Sequence, residues 1–334
     1  TADPTNAASV EFLVTFSADI DGDAEPDATD FEIATTGTVA TDPTVTVGDN
    51  SDGDAKTFKV TVTGVSGAGT LGVNFDDDDT VEVGDVPIGG AGANNGDVTG
   101  TTLTVDRAAP TAAFTRQTAS PTNSDTVIFD VTFSEDVSNV GDADFTADSS
   151  GFTGTTGTVT VGNAGDADDK TYTVTIASVD GSGPLGLAFA GGTDITDTIG
   201  NAVDQTPTTD ETITVDQAAP TVTSITRDTP ADETTNAASV VFSVTFSEAV
   251  NSLDTTDFTL ATTGTAAGGI ASVSAASGTT VTVTVDTLTG EGTLGLDIDG
   301  TNQDIADDLG NALTNTAPTG ADETYTLDTT APTL

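Results

Sequence analysis

Apolar and polar residues alternate through three segments of this chain in nearly the same phrase. It reads V-E-F-L-V-T-F-S at Val10–Ser17, V-I-F-D-V-T-F-S at Val127–Ser134 and V-V-F-S-V-T-F-S at Val240–Ser247. A period of two in residues this rich in Phe and β-branched side chains predicts a half-buried β-strand. Phe129, Val131 and Phe133 then share one face and are core candidates. A short strand is predicted to open at each of Asp30-Phe31, Asp144-Phe145 and Asp257-Phe258. Thr-Val alternation follows at 44–47, 158–161 and, more weakly, 270–274, and then come Phe58–Thr63, Tyr172–Ile176 and Val281–Val285. Gly-rich turns lead into G-T-L-G (69–72), G-P-L-G (183–186) and G-T-L-G (292–295), and a last strand runs into a closing Asp, as in Thr212–Asp216. No segment has a helical period. About seven such strands with regular turn signals predict an all-β unit, an antiparallel two-sheet sandwich.

The closing phrase recurs as V-D-R-A-A-P-T (105–111), V-D-Q-A-A-P-T (215–221) and L-D-T-T-A-P-T (327–333). Its Asp residues, Asp106, Asp216 and Asp328, stand 110 and 112 residues apart. That spacing is one small domain with its own core. The expected repeats are 1–106, 107–216 and 217–328, with 329–334 opening a further one. T-A-D-P-T-N-A-A-S-V at 1–10 matches T-P-A-D-E-T-T-N-A-A-S-V at 229–240. Repeat one is therefore expected to lack the strand that follows A-P-T in the others, through trimming or because a neighbouring molecule supplies it.

Charge narrows the function. There are 54 Asp plus Glu against 6 Lys plus Arg, a formal net charge of −48. No basic face can form, which excludes nucleic acid and an anionic membrane surface as partners. Cys, His, Met and Trp are absent, which removes disulfides, zinc sites and most nucleophile–base pairs. No apolar run reaches the ~18 residues of a membrane helix. Carboxylate-only catalysis needs a cleft with an acid in apolar surroundings, whereas these acids lie in polar, Gly-rich loops. The chain is not expected to be an enzyme.

The series V-T-F-S-E-x-V, D-F, G-x-L-G, D-x-x-G-N and D-x-x-A-P-T resembles the bacterial immunoglobulin-like repeats of large cell-surface proteins and adhesins. The resemblance spans the whole chain. It implies an extracellular tandem array of immunoglobulin-like sandwiches, often stiffened by calcium in the manner of cadherins.

In such a sandwich alternate loops share one end, beside the incoming linker. For repeat two this gathers Asp106 of the linker, Glu135 and Asp136 after the second strand, Asp166, Asp168 and Asp169 after the fourth, and Asp194, Asp197 and Asn201 of D-I-T-D-T-I-G-N. Repeat three offers Asp216, Glu248, Asp304, Asp307 and Asn311. Repeat one departs: Asp19, Asp21 and Asp23 alternate around Gly22, and D-D-D-D (76–79) with Asp85 replaces D-x-x-G-N. Asp30, Asp144 and Asp257 of the D-F pairs either ligate or fix a turn. Crowded carboxylates with no N or S ligand nearby point to a hard cation, and Ca²⁺ accepts six to eight oxygens in loose geometry. Isolated Asp residues in turns are otherwise simply solvated. The expected role is a calcium-rigidified extracellular spacer of a surface fibre or adhesin, its partners being neighbouring repeats of the same or another copy. Two other roles stay open: a module whose loop ends bind a cell-surface glycan or protein, and a filament subunit that assembles by strand donation. The acid excess also suits a salt-loving habitat.

Overall fold

The computed structural model describes residues 1–40, 44–49, 55–163 and 169–330. Asp166 and Asp168 lie outside the described residues. The described chain is all-β, with three single-turn 3-10 helices.

Repeat one contains β1 (Ser9–Thr15), β2 (Phe31–Thr35), β3 (Thr44–Asp49), β4 (Thr57–Thr63), β5 (Ala68–Phe75) and β6 (Thr102–Asp106). Two three-stranded sheets result, ordered β1-β4-β3 and β2-β5-β6. Repeat two contains β7 (Ala112–Arg116), β8 (Val127–Phe133), β9 (Val137–Ser138), β10 (Phe145–Asp148), β11 (Thr153–Thr155), β12 (Val159–Asn163), β13 (Thr171–Ile176), β14 (Asp180–Phe189), β15 (Thr196–Asp197), β16 (Thr209–Asp210) and β17 (Ile213–Asp216). One sheet runs β12-β13-β8-β7-β16; the other has β14 between β10 and β11, with β17 also on β14, while β9 and β15 form a small pair. Repeat three contains β18 (Val222–Thr229), β19 (Thr234–Thr235), β20 (Val240–Val250), β21 (Phe258–Thr262), β22 (Ala267–Val273), β23 (Gly278–Thr289), β24 (Gly292–Ile298) and β25 (Tyr325–Leu327). Its sheets are β18-β20-β23-β22 and β19-β25-β24-β21.

The period-two phrase packs as its pattern requires. Phe129, Val131 and Phe133 of β8 are at most 3% exposed, and Phe242, Val244 and Phe246 of β20 at most 1%. Buried hydrophobic residues form three clusters, running from Val10 to Val105, Ala112 to Val215 and Val222 to Leu327. Tyr325 closes the third, its hydroxyl donating to main-chain oxygens of Pro230 (2.8 Å) and Val241 (2.9 Å).

The D-F pairs divide between two elements. Asp30, Asp144 and Asp257 each end a 3-10 turn, and the strand begins at the following Phe. The Asp carboxylate reaches back to the turn's start: Asp27 N donates to Asp30 at 2.7 Å, Gly141 N to Asp144 at 2.7 Å and Asp254 N to Asp257 at 2.6 Å. Satisfying those orphan donors sets the angle at which each second-sheet strand enters.

Candidate metal centres at the junctions

Each repeat closes with an Asp that bends the outgoing chain. Asp106 Oδ1 accepts Ala108 N at 3.1 Å, Asp216 Oδ1 accepts Ala218 N at 3.1 Å and Asp328 Oδ1 accepts Thr330 N at 3.2 Å. The residue after the Asp ties the linker to the repeat it leaves. Arg107 N donates to Gly67 O at 3.1 Å, and its guanidinium donates to Asn6 O. Gln217 Nε2 donates to Val179 O (3.0 Å) and Ser124 O (3.1 Å), while its Oε1 accepts Gly181 N (2.7 Å).

Two carboxylates of the next repeat meet this closing Asp. One oxygen each of Asp106, Glu135 and Asp197 lie within 4.8 Å of one another, and Asp216, Glu248 and Asp307 form the same group at the second junction. Glu135 lies two residues beyond the end of β8, and Glu248 lies within the extended β20. Asp197 and Asp307 sit in the two D-I-x-D-x-x-G-N loops and are buried; the other four acids are half-buried.

The loop sequence explains how a carboxylate can be buried there. Asp197 Oδ1 accepts backbone N–H groups from Ile199 (2.8 Å), Gly200 (2.6 Å) and Asn201 (2.9 Å). Asp307 Oδ1 accepts those of Leu309 and Asn311, both at 2.8 Å. Curling neighbouring N–H groups around one oxygen is helped by a left-handed residue, supplied by Gly200 (φ +97°) and Gly310 (φ +90°). The Asn of the motif uses its amide as a brace. Asn201 Nδ2 donates to Asp197 Oδ2 (2.7 Å) and, across the junction, to Asp106 O (2.9 Å). Asn311 Nδ2 does the same to Asp307 Oδ2 (2.7 Å) and Asp216 O (2.9 Å).

The acids of one cluster feel opposite environments. Burial, joined by the charges of Asp106 and Asp197, raises the Glu135 carboxyl above its ordinary range; Lys170 opposes this. Burial and the charges of Asp216 and Asp307 raise Glu248 likewise. Burial also acts on Asp197 and Asp307, but the hydrogen bonds from their own loops outweigh it and hold both below the ordinary value. Each site thus pairs one firmly ionised Asp with a Glu that pays for its neighbours' charge.

At an effective dielectric near 20, two like charges ~5 Å apart repel by roughly 3 kcal/mol. A cation among them reverses the sign. Oxygens sharing one Ca²⁺ lie up to roughly 5 Å apart, twice a bond of 2.3–2.6 Å, so a spread within 4.8 Å fits. The donor set is carboxylate alone, which suits Ca²⁺ and disfavours transition metals.

The remaining acids singled out in the sequence lie elsewhere. Asp136 pairs with Lys170 at 3.6 Å and Asp19 with Lys56 at 3.5 Å. Asp144 Oδ1 accepts Thr193 Oγ1 (2.7 Å) and Asp194 N (3.3 Å); Asp257 Oδ1 accepts Asp304 N (3.3 Å). The D-F acids therefore hold the D-I-x-D-x-x-G-N loop in place, while the side chains of Asp194 and Asp304 are exposed. Asp30 accepts Thr80 Oγ1 at 2.9 Å. Asp21 accepts Asp85 N at 3.0 Å, and Asp23 is exposed. Of the D-D-D-D run, Asp77 is buried and accepts Gly96 N at 2.9 Å. The backbone oxygen of Asp169 accepts Val137 N at 3.3 Å. Among the described residues these acids join no group of three.

Sequence reasoning passed over Asn123, whose Nδ2 donates to Leu309 O of the next repeat at 2.7 Å. Asn6 stands in the same place at the first junction, its Nδ2 3.6 Å from where a Cβ on Gly200 would lie. The signal was available: Thr-Asn recurs at Thr5-Asn6, Thr122-Asn123 and Thr235-Asn236.

The chain matches no protein-family model and no curated relative. Among solved structures it is similar to the Escherichia coli adhesin FdeC, at 14% identity over 98% of this chain and 95% of that one, with a TM-score of 0.35. A marsupial T cell receptor aligns at 12% identity over 90% of this chain and 95% of the receptor chain, TM-score 0.27. Domains 1–6 of the surface layer protein SbsC align at 12% identity, TM-score 0.21, over 97% of this chain, which spans 53% of that one. None of these likenesses assigns a function to the chain.

Proposed function

We propose that this chain is an extracellular spacer, an array of immunoglobulin-like sandwiches from a surface fibre or adhesin that calcium makes rigid. The observation carrying this reading is the origin of the three ligands. Asp106 ends repeat one, whereas Glu135 and Asp197 belong to repeat two, and the second junction repeats the pattern with Asp216, Glu248 and Asp307. A cation bound there touches both neighbours at once.

The mechanism is mechanical. The A-P-T linker already limits bending, because proline fixes one backbone angle and restricts the residue before it. Asn201 and Asn311 brace the linker carbonyl against the loop. Calcium would then cancel the repulsion that pushes closing Asp and loop acids apart, leaving neighbouring repeats locked. Extracellular modules of this type bind calcium with dissociation constants of ~10⁻⁴ to 10⁻³ M, so the array would stiffen outside a cell and stay loose within one.

Small-angle scattering with calcium and with a chelator tests this. The expected result is a longer, narrower distance distribution with calcium and a broader, shorter one without. Superimposable profiles would overturn the reading.

A further inference from the structure

Repeats one and two each present two features side by side to the repeat that follows. The closing Asp is one. The other is a Thr-Asn pair, Thr5-Asn6 in repeat one and Thr122-Asn123 in repeat two. The Thr lies on the closing strand through a parallel bridge, Thr5 to Val105 and Thr122 to Val215. Its carbonyl accepts the closing Asp's own N–H, from Asp106 to Thr5 O at 2.9 Å and from Asp216 to Thr122 O at 2.8 Å. Its hydroxyl accepts the N–H two residues on, from Ala7 and Ser124, both at 3.1 Å. That small side-chain turn fixes the backbone of the Asn between them.

The residue after the closing Asp holds the same Asn from the linker side. The Arg107 guanidinium donates to Asn6 O, and Gln217 Nε2 donates to Asn123 O at 3.3 Å. The Asn side chain then meets the next repeat. Asn123 Nδ2 donates to Leu309 O at 2.7 Å and lies 3.5 Å from Asn311 Oδ1. It stands 3.9 Å from where a Cβ on Gly310 would lie, and Asn6 Nδ2 holds the same relation to Gly200 at 3.6 Å. Gly200 and Gly310 are matching positions of the two D-I-x-D-x-x-G-N loops. Linker, Asn and the neighbour's loop are thus tied in series.

We propose that Asn123, and Asn6 in its place at the first junction, is a metal-independent latch. It is a positioning residue that stops one repeat turning on the next and so presets the carboxylate cluster for a cation. The linker and the Asn311 brace both act at Asp216, a single pivot about which repeat three can still turn. Asn123 comes from a different strand and grips a different loop residue, and two separated attachments remove that rotation. Asp307 lies two residues before Leu309, so holding Leu309 O keeps the Asp307 carboxylate facing Asp216. The acceptor is a main-chain oxygen, so the latch asks for an amide donor and no particular side chain opposite. It is also uncharged, and therefore holds where the acids repel. The latch stands on hydrogen bonds within the chain, whereas its effect on metal binding rests on the calcium reading above. An open junction offers the closing Asp alone, so apparent affinity falls with the closed fraction.

The test measures distances between repeats in the full chain. It has no Cys, so Ser150→Cys with Asp232→Cys, both at exposed positions, takes one spin label on each side of the second junction. Glu25→Cys with Ser150→Cys reports the first junction. In chelator, Asn123→Ala should broaden the distance distribution across the second junction and leave the first unchanged. Asn123→Asp keeps the shape but loses the donor, and should broaden it at least as much. One net hydrogen bond shifts a closed–open equilibrium by about 3- to 10-fold. Calcium titrated onto Asn123→Ala, followed by the same labels, should therefore close the second junction with affinity weaker by about that factor. Unchanged distances in both variants, broadening at both junctions alike, or Asn123→Asp matching the unaltered chain would overturn the latch. Broadened distances with undiminished calcium affinity would overturn its presetting role. Broadening in a chain that binds no calcium would uphold the latch and remove the calcium reading instead.

Discussion

Asp257 and Glu248 belong to one repeat, and burial raises the carboxyl of both. Their company differs. Asp257 is 1% exposed, and N–H groups of Asp254 and Asp304 approach its two oxygens. Glu248 is half-buried and faces Asp216 and Asp307. The first acid is a structural part whose backbone donors offset some of the burial that raises it. The second has its charge opposed by neighbours of the same sign, and an added cation answers it. In a chain with 54 acids, burial alone does not mark a metal ligand; the identity of the nearest polar atoms does.

The sharpest way to break that contrast is to remove Asp257. Asp257→Ala leaves two backbone donors without their acceptor and frees the D-I-A-D-D-L-G-N loop. Repeat three should lose about 3 kcal/mol or more even in a chelator, where no calcium contributes. Denaturant melts in both conditions check this, and a loss confined to the calcium form would erase the distinction.

The next effect is the calcium increment. At a free concentration ~100 times the dissociation constant, each bound ion should add about 2.7 kcal/mol. Glu248→Gln should abolish the second junction's share. It should leave the calcium-free protein equally or more stable, since it removes a repelling charge. A smaller change is expected for Asn311→Ala, which removes the brace on Asp216 O and Asp307 Oδ2. Supporting residues of this kind typically set metal affinity by ~10-fold or more, so a titration should show weaker binding by that factor with the fold retained.

The smallest effect is on pH. Asp30 and Asp257 have folded pKa values raised above 3.8, chiefly by burial. The folded state binds protons more readily there, so their contribution to stability is complete below 3.8 and is lost as pH rises through the folded values. Asp197 and Asp307 are lowered from 3.8, so theirs is present above that value and is lost as pH falls through the lower folded values. Without calcium, stability should rise slightly on mild acidification and then fall in stronger acid. Asp257→Asn should shrink the first limb, to which Asp30, Glu135 and Glu248 also contribute, and leave the second unchanged.

Much of this was legible in the sequence because strands have a rigid period. V-x-F-x-V-T-F-S states which side is buried, and Phe129, Val131 and Phe133 lie there. Asp106, Glu135 and Asp197 could be placed at one junction because alternate loops of a sandwich share an end, and the structure brings them within 4.8 Å. What the pattern hid was the direction of individual side chains. An Asp before Phe looks the same whether it binds metal or caps a 3-10 turn, and Asp30, Asp144 and Asp257 cap. An Asn after Gly offers both a donor and an acceptor, and Asn201 presents its donor to the cluster. The weak alternation at 270–274 concealed the seven-residue strand β22, whose register shifts disrupt the period.

Calorimetric titration of the calcium-free chain with calcium tests the central claim most directly. The account predicts one ion for each of the two junction clusters, with dissociation constants of ~10⁻⁴ to 10⁻³ M. Glu135→Gln or Glu248→Gln should each remove one binding event, and both together should remove the two. Binding unchanged in the double variant, or no binding by the unaltered chain, would contradict it.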